Sequence, residues 1–160
     1  MSAPPLKQSA TVADLLALLP MRPLLPMRPL PVVAEGATAD EVVNAFADSQ
    51  HTRLLYVLDP AGRLVGVISL GRLVRHVLNG YHEPRIHSRH LLNMLGSETA
   101  THLMQKEAVS AGLNEPVETV LRRMVESNVK EIAVLDESRK VVADLTMVDL
   151  LRYYKFTDKG

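Results

Sequence analysis

The apolar positions of the chain follow two different spacings, and the changes between them divide it into elements. At residues 11–19 the apolar side chains recur at helical spacing, with Val12 and Leu15 on one face. Thr38 then opens a second amphipathic helix, because Glu41 follows it at the distance of a capping box. The pattern therefore predicts helices at both places.

Two short apolar runs, 54–58 and 64–68, come next in the chain. Between them lies Asp59-Pro-Ala-Gly62, which is typical of a β-turn with proline at its second position. The combination predicts a β-hairpin. Ser69 is placed to cap a helix that continues through Leu78.

The same order of elements recurs further along the chain. From Asp59 to Asp136 the offset is 77 residues, whereas the upstream helices match at 78, as from Val42 to Val120. The further matches at 77 are Val57 with Val134, Leu58 with Leu135, Val65 with Val142, Ser69 with Thr146, and Leu73 with Leu150. The second-copy elements predicted in this way are a helix capped by Asn114, strands at 132–135 and 141–145, and a helix from Thr146 to about Tyr154. We interpret the chain as two copies of one supersecondary unit.

Between the first helix and the first copy lies a proline-rich segment. Prolines occupy positions 20, 23, 26, 29 and 31, and the sequence PMRPL occurs twice, at 20–24 and 26–30. Prolines at this density exclude a continuous helix and favour an extended, semi-rigid connector. A docking site for a partner domain is the alternative.

The composition argues against several classes of function. The 160 residues include 18 basic and 18 acidic side chains and no cysteine. The zero net charge argues against nucleic-acid binding, and the lack of cysteine excludes disulfides and thiolate metal sites. No apolar run approaches the roughly 20 residues that span a bilayer, and no signal peptide is evident. We therefore expect a cytoplasmic protein.

The repeated order resembles a tandem pair of CBS domains, the Bateman module. The matching features are a leading helix in each copy, the hairpin with its aspartate, and a Ser/Thr-x-x-Asp step into the last helix. The resemblance implies an α/β (α+β) fold of two βαββα repeats, packed about a pseudo-two-fold axis with clefts between them. The expected divisions are a helix and proline-rich arm at 1–30, the first repeat at 31–79, a linker at 80–98, the second repeat at 99–155, and a tail at 156–160.

The resemblance also implies a non-catalytic regulatory module with no required cofactor. Its ligand is expected to contain adenosine, as AMP, ADP, ATP or S-adenosylmethionine do, and to bind in a cleft between the repeats. Thr146 matches the family residue that contacts phosphate, and Asp149 matches the one that contacts ribose. A Thr-x-x-Asp step is also a helix-capping pattern, which requires no ligand.

Further candidates line the expected clefts. Lys130 and Glu131 lie just before a predicted strand, where relatives line a cleft, and a solvated strand entry is the alternative. Ile132, the first residue of that strand, is a further candidate. Met104 is a candidate to cover an adenine ring, with core packing as its alternative. In the first copy Ser69 keeps the hydroxyl position.

The two copies depart from the family pattern in different ways. Arg72 stands where the first copy would have its ribose-binding aspartate, and a guanidinium has only donors. Either that cleft is empty or Arg72 contacts a phosphate. In the second copy Ala143 replaces the usual glycine and Asp144 lies within a strand. These departures motivate the alternative function, a ligand-independent dimerisation or protein-interaction scaffold with vestigial clefts.

The sequence contains no recognised catalytic motif, such as a phosphate-binding loop with Gly-Lys-Ser/Thr, so we do not expect an enzyme. The histidines between the copies, His82, His87 and His90, lack the spacing of a metal site and are predicted to belong to a solvated linker. The expected partners are an adenosine-type small molecule, a second copy in a homodimer, and a separate effector protein. No membrane or nucleic-acid partner is expected.

Overall fold

The computed structural model describes residues 10–18, 30–48, 53–80 and 98–150. Its elements in chain order are α1 (Val12–Leu18), β1 (Val32–Ala34), α2 (Ala39–Asp48), β2 (Leu54–Leu58), β3 (Leu64–Ser69), α3 (Leu70–Gly80), α4 (Ala100–Leu103), β4 (Ser110–Gly112), α5 (Val117–Glu126), β5 (Glu131–Leu135) and β6 (Val141–Thr146). A last helix, α6, begins at residue 147 and is described through residue 150. The predicted connector over 20–29, the histidines of the linker and the tail lie outside the described residues.

Two three-stranded sheets of identical topology confirm the internal repeat. The strand orders are β1-β2-β3 and β4-β5-β6, with the first pair parallel and the second antiparallel in each. Val57 lies opposite Gly66 in one hairpin, and Val134 lies opposite Ala143 in the other. In both hairpins the register shifts just after these valines. The predicted offset of 77 residues therefore holds residue by residue.

Each hairpin turn is organised by its aspartate. Oδ1 of Asp59 accepts hydrogen bonds from two backbone N–H groups of its turn, and Oδ1 of Asp136 does the same in its own turn. The donors are Ala61 and Arg63 in the first turn and Ser138 and Lys140 in the second. The backbone bond from Arg63, together with its side chain, holds the pKa of Asp59 below its ordinary value.

Of the caps predicted for the two amphipathic helices, the one at Thr38 is confirmed and the one at Asn114 is not. Oγ1 of Thr38 accepts a hydrogen bond from the N–H of Glu41 at 3.2 Å, as the capping spacing predicts. The prediction that Asn114 caps the next helix is wrong, because α5 begins at Val117 and the residue at its N-cap is Pro116, which is extended with φ −60° and ψ 137°. The N–H of Val117 is bonded instead to the carbonyl of Ala10.

The elements form two compact units, and each unit contains the leading helix that precedes the other sequence repeat. The first unit comprises residues 31–108, and the second comprises residues 1–30 together with 109–160. Division by the sequence repeat places 99–108 with the second copy and α1 beside the first. In the structure α4 packs with the first copy and α1 with the second.

Backbone hydrogen bonds explain the exchange in the first unit. The N–H groups of Ala100 and Thr101, at the start of α4, donate to the carbonyls of Ala37 and Glu35 at 2.8 and 3.1 Å. The N–H of Ala39, at the start of α2, donates to the backbone carbonyl of Glu98 at 3.0 Å. The first N–H groups of a helix have no acceptor within that helix. Here the first N–H groups of each helix donate to carbonyls in the segment that precedes the other helix.

The second unit repeats this arrangement at equivalent positions. The N–H groups of Val12 and Ala13, at the start of α1, donate to the carbonyls of Glu115 and Leu113, both at 2.9 Å. These two bonds and the one from Val117 to Ala10 correspond to the three bonds at α4. A short leading helix is thus held by the loop that precedes the amphipathic helix of each unit.

An ion pair secures that loop in the second unit. Arg123 contacts both carboxylate oxygens of Glu115, at 2.6 and 2.8 Å, and donates to the carbonyl of Ser110. The N–H of Gly112 also donates to Glu115, at 2.7 Å. The hydrogen bonds from Arg123 lower the pKa of the Glu115 carboxyl, and the same contact raises the pKa of Arg123.

Each unit has its own apolar core between its sheet and its helices. The leading helices contribute fully, since Ala100 and Val12 are both completely buried. In the first unit the buried residues include Val42, Leu55, Val57, Ile68 and Leu103. In the second they include Leu15, Val120, Met124, Ile132, Val134, Leu145 and Leu150.

Candidate functional site

The structure separates the eight predicted site residues into two clusters. Five lie in the second unit and three in the first. The second-unit cluster comprises Lys130, Glu131, Ile132, Thr146 and Asp149. The first-unit cluster comprises Ser69, Arg72 and Met104.

The second-unit cluster is assembled by the pairing of β5 with β6. Glu131 lies directly opposite Thr146 in the antiparallel register. The N–H of Met147, the first residue of α6, donates to the carbonyl of Lys130 at 2.9 Å. Residues that are 15 or more positions apart in sequence thus meet where β6 passes into α6. This juxtaposition follows from the hairpin that β5 and β6 form.

Thr146 and Asp149 bond to each other's backbone. Oδ2 of Asp149 accepts from the N–H of Thr146 at 2.9 Å, and Oγ1 of Thr146 accepts from the N–H of Asp149 at 3.2 Å. This is a reciprocal capping box. A carboxylate has about four lone-pair sites on two oxygens, so the cap uses only part of the acceptor capacity of Asp149.

The other members of this cluster differ in exposure. Lys130 is exposed and Glu131 is half-buried. The side chain of Ile132 is completely buried in the apolar core. The cluster therefore combines a hydroxyl, two carboxylates and an ammonium group near the start of a helix.

The first-unit cluster has different chemistry. Oγ of Ser69 accepts from the N–H of Arg72 at 3.1 Å, so the hydroxyl caps α3 as predicted. The guanidinium of Arg72 donates from Nε to the carbonyl of Leu103 at 3.1 Å. This partner is 31 residues away in the sequence, and no local pattern identifies it.

Met104 belongs to the first unit and not to the cluster of Thr146 and Asp149. Its side chain is 9% exposed and packs in the core of that unit. A Cβ atom placed on Gly66 would lie 2.6 Å from its sulfur, so Met104 packs directly against the glycine. This placement agrees with the core-packing alternative.

Comparison with protein-family models matches the CBS domain twice, at residues 22–79 and 100–155. The chain belongs to the CBS domain family. A comparison with curated protein sequences finds no match.

Solved structures share the fold. A CBS domain-containing protein from Thermotoga maritima is 25% identical, with a TM-score of 0.65 and coverage of 95% of this chain and 96% of that one. The cytosolic domain of the Mg2+ channel MgtE, in complex with ATP, is 26% identical with a TM-score of 0.58. That match covers 78% of this chain and 44% of the other. CBSX2 in complex with AMP is 20% identical with a TM-score of 0.67, covering 91% and 96%.

Two features are absent from the described residues. None of the helices in those ranges has the length and apolarity that crossing a membrane requires. Within the same ranges, no group of three or more histidine, cysteine, aspartate or glutamate side chains is arranged to hold a metal ion.

Proposed function

We propose that the chain is a non-catalytic regulatory module that binds an adenosine-containing ligand at the cluster of Thr146, Asp149, Lys130 and Glu131. The observation that carries the proposal is that the backbone pairing of β5 with β6 brings these residues together where β6 passes into α6. A carboxylate at Asp149 accepts hydrogen bonds from ribose hydroxyls, as acidic residues do in dinucleotide folds. Thr146 and Lys130 supply a hydroxyl and a positive charge for phosphate.

The relatives support the class of ligand. The fold is shared with a domain solved with ATP and with a protein solved with AMP. S-adenosylmethionine and ADP have the same adenosine moiety and belong in the same test. The homodimer, the separate effector protein and the cytoplasmic location stay predictions.

A ligand-independent scaffold is the second candidate, and one observation favours it. The reciprocal bonds between Thr146 and Asp149 satisfy the helix start without a ligand. The same box occurs at α1, where Thr11 and Asp14 bond to each other's backbone at 2.9 and 3.3 Å. A box of this kind therefore also starts a helix elsewhere in the described part of the chain.

Thermal unfolding with AMP, ADP, ATP and S-adenosylmethionine tests the proposal. A ligand at about 100 times its Kd adds roughly 2.7 kcal/mol of stability. Each kcal/mol moves the midpoint by about 2–4 °C in a chain of this size, so we expect a rise of roughly 5–10 °C. Asp149→Asn retains an oxygen that can cap Thr146 but loses the charge, and should reduce the rise.

Asp14→Asn is the matched control because it alters the equivalent box at α1. It should leave the ligand-induced rise intact. No rise with any of the four ligands would refute the proposal and favour the scaffold. An equal loss of the rise in both variants would show that the effect arises from stability and not from contact.

A further inference from the structure

One apolar face of α3 is largely exposed. Leu70, Val74 and Leu78 recur every four residues, so their side chains lie in one line along the helix. These side chains are 40%, 46% and 52% exposed. Leu73 and Val77, on the adjoining face, belong to the core of the first unit or pack against it. The apolar surface of α3 is therefore wider than the core covers.

The formal charges on α3 are all positive. The helix contains Arg72 and Arg75 and no acidic residue, and the elements that pack against it, β3 and α4, contain none either. Arg75 extends along the exposed line, since a Cβ atom placed on Gly71 would lie 3.6 Å from its Nη1. Arg53 is exposed, and its carbonyl accepts from the N–H of Leu70 at 2.9 Å. Positive charge thus borders the apolar line.

The acidic side chains described in the first unit belong to other segments. They are Glu35, Asp40, Glu41, Asp48, Asp59, Glu98 and Glu107. One of them contacts α3, because Oε2 of Glu98 lies 2.7 Å from Nε2 of His76. That contact is on the far side of the helix, since His76 is about 200° around the axis from Val74.

We propose that the face of α3 formed by Leu70, Val74, Leu78 and Arg75 docks on an anionic lipid surface. A helix with an apolar face and basic borders lies in the plane of such a surface, with its apolar side chains at the boundary of the acyl chains. α3 has 11 residues, whereas crossing a bilayer takes roughly 20, so the helix rests on the membrane. This inference is independent of any nucleotide ligand.

Charge and apolar matching favour a membrane over a second copy of the chain. Two α3 faces in symmetric contact would place basic side chains beside each other, which opposes pairing. The acidic helix α2 exposes one large apolar side chain, Val43, and so does not match a line of three. An anionic bilayer attracts the arginines and takes up the whole line.

The sequence alone does not predict this partner. The apolar residues of α3 follow one amphipathic pattern, and a core-facing helix has the same pattern. Only the packing of Leu73 and Val77 shows which apolar residues the core leaves exposed.

Flotation of the full-length protein with lipid vesicles tests the proposal. With phosphatidylcholine vesicles that contain about 30% phosphatidylserine, we expect a partition coefficient on the order of 10⁴ M⁻¹, similar to that of a single myristoyl chain. Binding should weaken as salt rises from about 0.1 to 0.5 M, because salt screens the arginines. Vesicles of phosphatidylcholine alone should bind no protein.

Two substitutions on the face should weaken binding to the anionic vesicles. Arg75→Ala should weaken it about fivefold, which is the contribution of one arginine near an anionic surface. Val74→Asp should weaken it at least about tenfold, because it places a negative charge within the apolar line. Arg75→Glu is the variant to use if Val74→Asp fails to fold.

Val125→Asp is the matched control. Val125 is an exposed valine of α5, 63% exposed, on a helix that carries the acidic residues Glu118 and Glu126. This variant should bind the anionic vesicles as the parent does.

Several results would overturn the proposal. They are failure of the parent to float with the anionic vesicles, equal binding to phosphatidylcholine alone, and equal binding by the parent and Val74→Asp. Sedimentation of the lipid-free protein examines the competing occupant. A dimer that Val74→Asp separates would place a second copy on this face and would also count against a membrane. None of these measurements includes a nucleotide, so a failure of the proposed function leaves them unaffected.

Discussion

Gly66 of β3 lies against Met104 and Gln105, which follow α4, and replacing it by alanine should dislodge these two residues. A Cβ atom at position 66 would lie 2.8 Å from the carbonyl oxygen of Gln105 and 2.6 Å from the sulfur of Met104. The sulfur is at the end of a flexible side chain and can rotate away. The carbonyl oxygen cannot, because it accepts from the N–H of Val67 at 3.0 Å.

The size of the effect follows from what must move. Separating Gln105 from Val67 gives up two backbone hydrogen bonds, each worth about 0.5–1.5 kcal/mol. Met104, which is 9% exposed, would lose part of the roughly 1.5–3 kcal/mol that burial of such a side chain contributes. We expect Gly66→Ala to lower the free energy of unfolding by about 2–4 kcal/mol.

Urea denaturation measures this loss, and hydrogen exchange at the amide of Gln105 locates it. Gly36→Ala is the matched control, because nothing lies within 4 Å of a Cβ atom there. At such a site alanine should be neutral or stabilise by about 0.4–1 kcal/mol. Combining Gly66→Ala with Met104→Ala relieves only the side-chain clash and should not restore protection of Gln105.

The result that would refute this reasoning is a Gly66→Ala variant within about 0.5 kcal/mol of the parent, with the amide of Gln105 still protected. The extra methyl group would then be accommodated by a small shift of β3, and the close packing of Met104 would not require glycine.

Four further substitutions test other parts of the structure. Glu115→Gln should lower the free energy of unfolding at pH 7 by about 1 kcal/mol in urea denaturation, because the ion pair of Glu115 with Arg123 is partly exposed. The pKa of Glu115 is lowered below its ordinary 4.5 in the folded protein, so the parent loses its extra stability over the variant as the pH falls below 4.5. A stability difference that stays constant down to about pH 3 would contradict the ion pair. Arg139→Gly should stabilise by about 0.5–1 kcal/mol, because Arg139 has a φ of 64° where the other copy has Gly62 at 85°, and Gly62→Ala should do the reverse. Leu15→Ala should cost about 2–5 kcal/mol, since Leu15 is 1% exposed in the second-unit core, and a loss below 1 kcal/mol by the same method would show that α1 contributes little.

Local sequence patterns predicted the two hairpins, most of the helices and their repetition. The hairpin residues, the turn aspartates Asp59 and Asp136, and the cap at Thr38 depend on groups a few positions apart, so spacing alone predicts them. The meeting of Thr146 with Glu131 follows from the same hairpin geometry. The family resemblance rested on this order of elements, and the CBS domain match confirmed it.

The tertiary structure alone decided which copy each leading helix joins. The two helices carry similar apolar faces, and nothing local distinguishes their docking partners. Backbone hydrogen bonds from Ala100 to Ala37 and from Val12 to Glu115 connect each leading helix to its unit. Because backbone groups are the same in every residue, the sequence does not reveal this pairing. The position of Met104 in the first unit follows from that choice.

The two copies also show where spacing ceases to be informative about function. Ser69 and Thr146 cap their helices as the repeat predicts, and Asp149 completes its box. The partner of Arg72 is a carbonyl oxygen brought close only by the docking of α4. The sequence thus determined that position 72 differs chemically from position 149, and only the fold determined what the arginine binds, because that contact forms between segments distant along the chain.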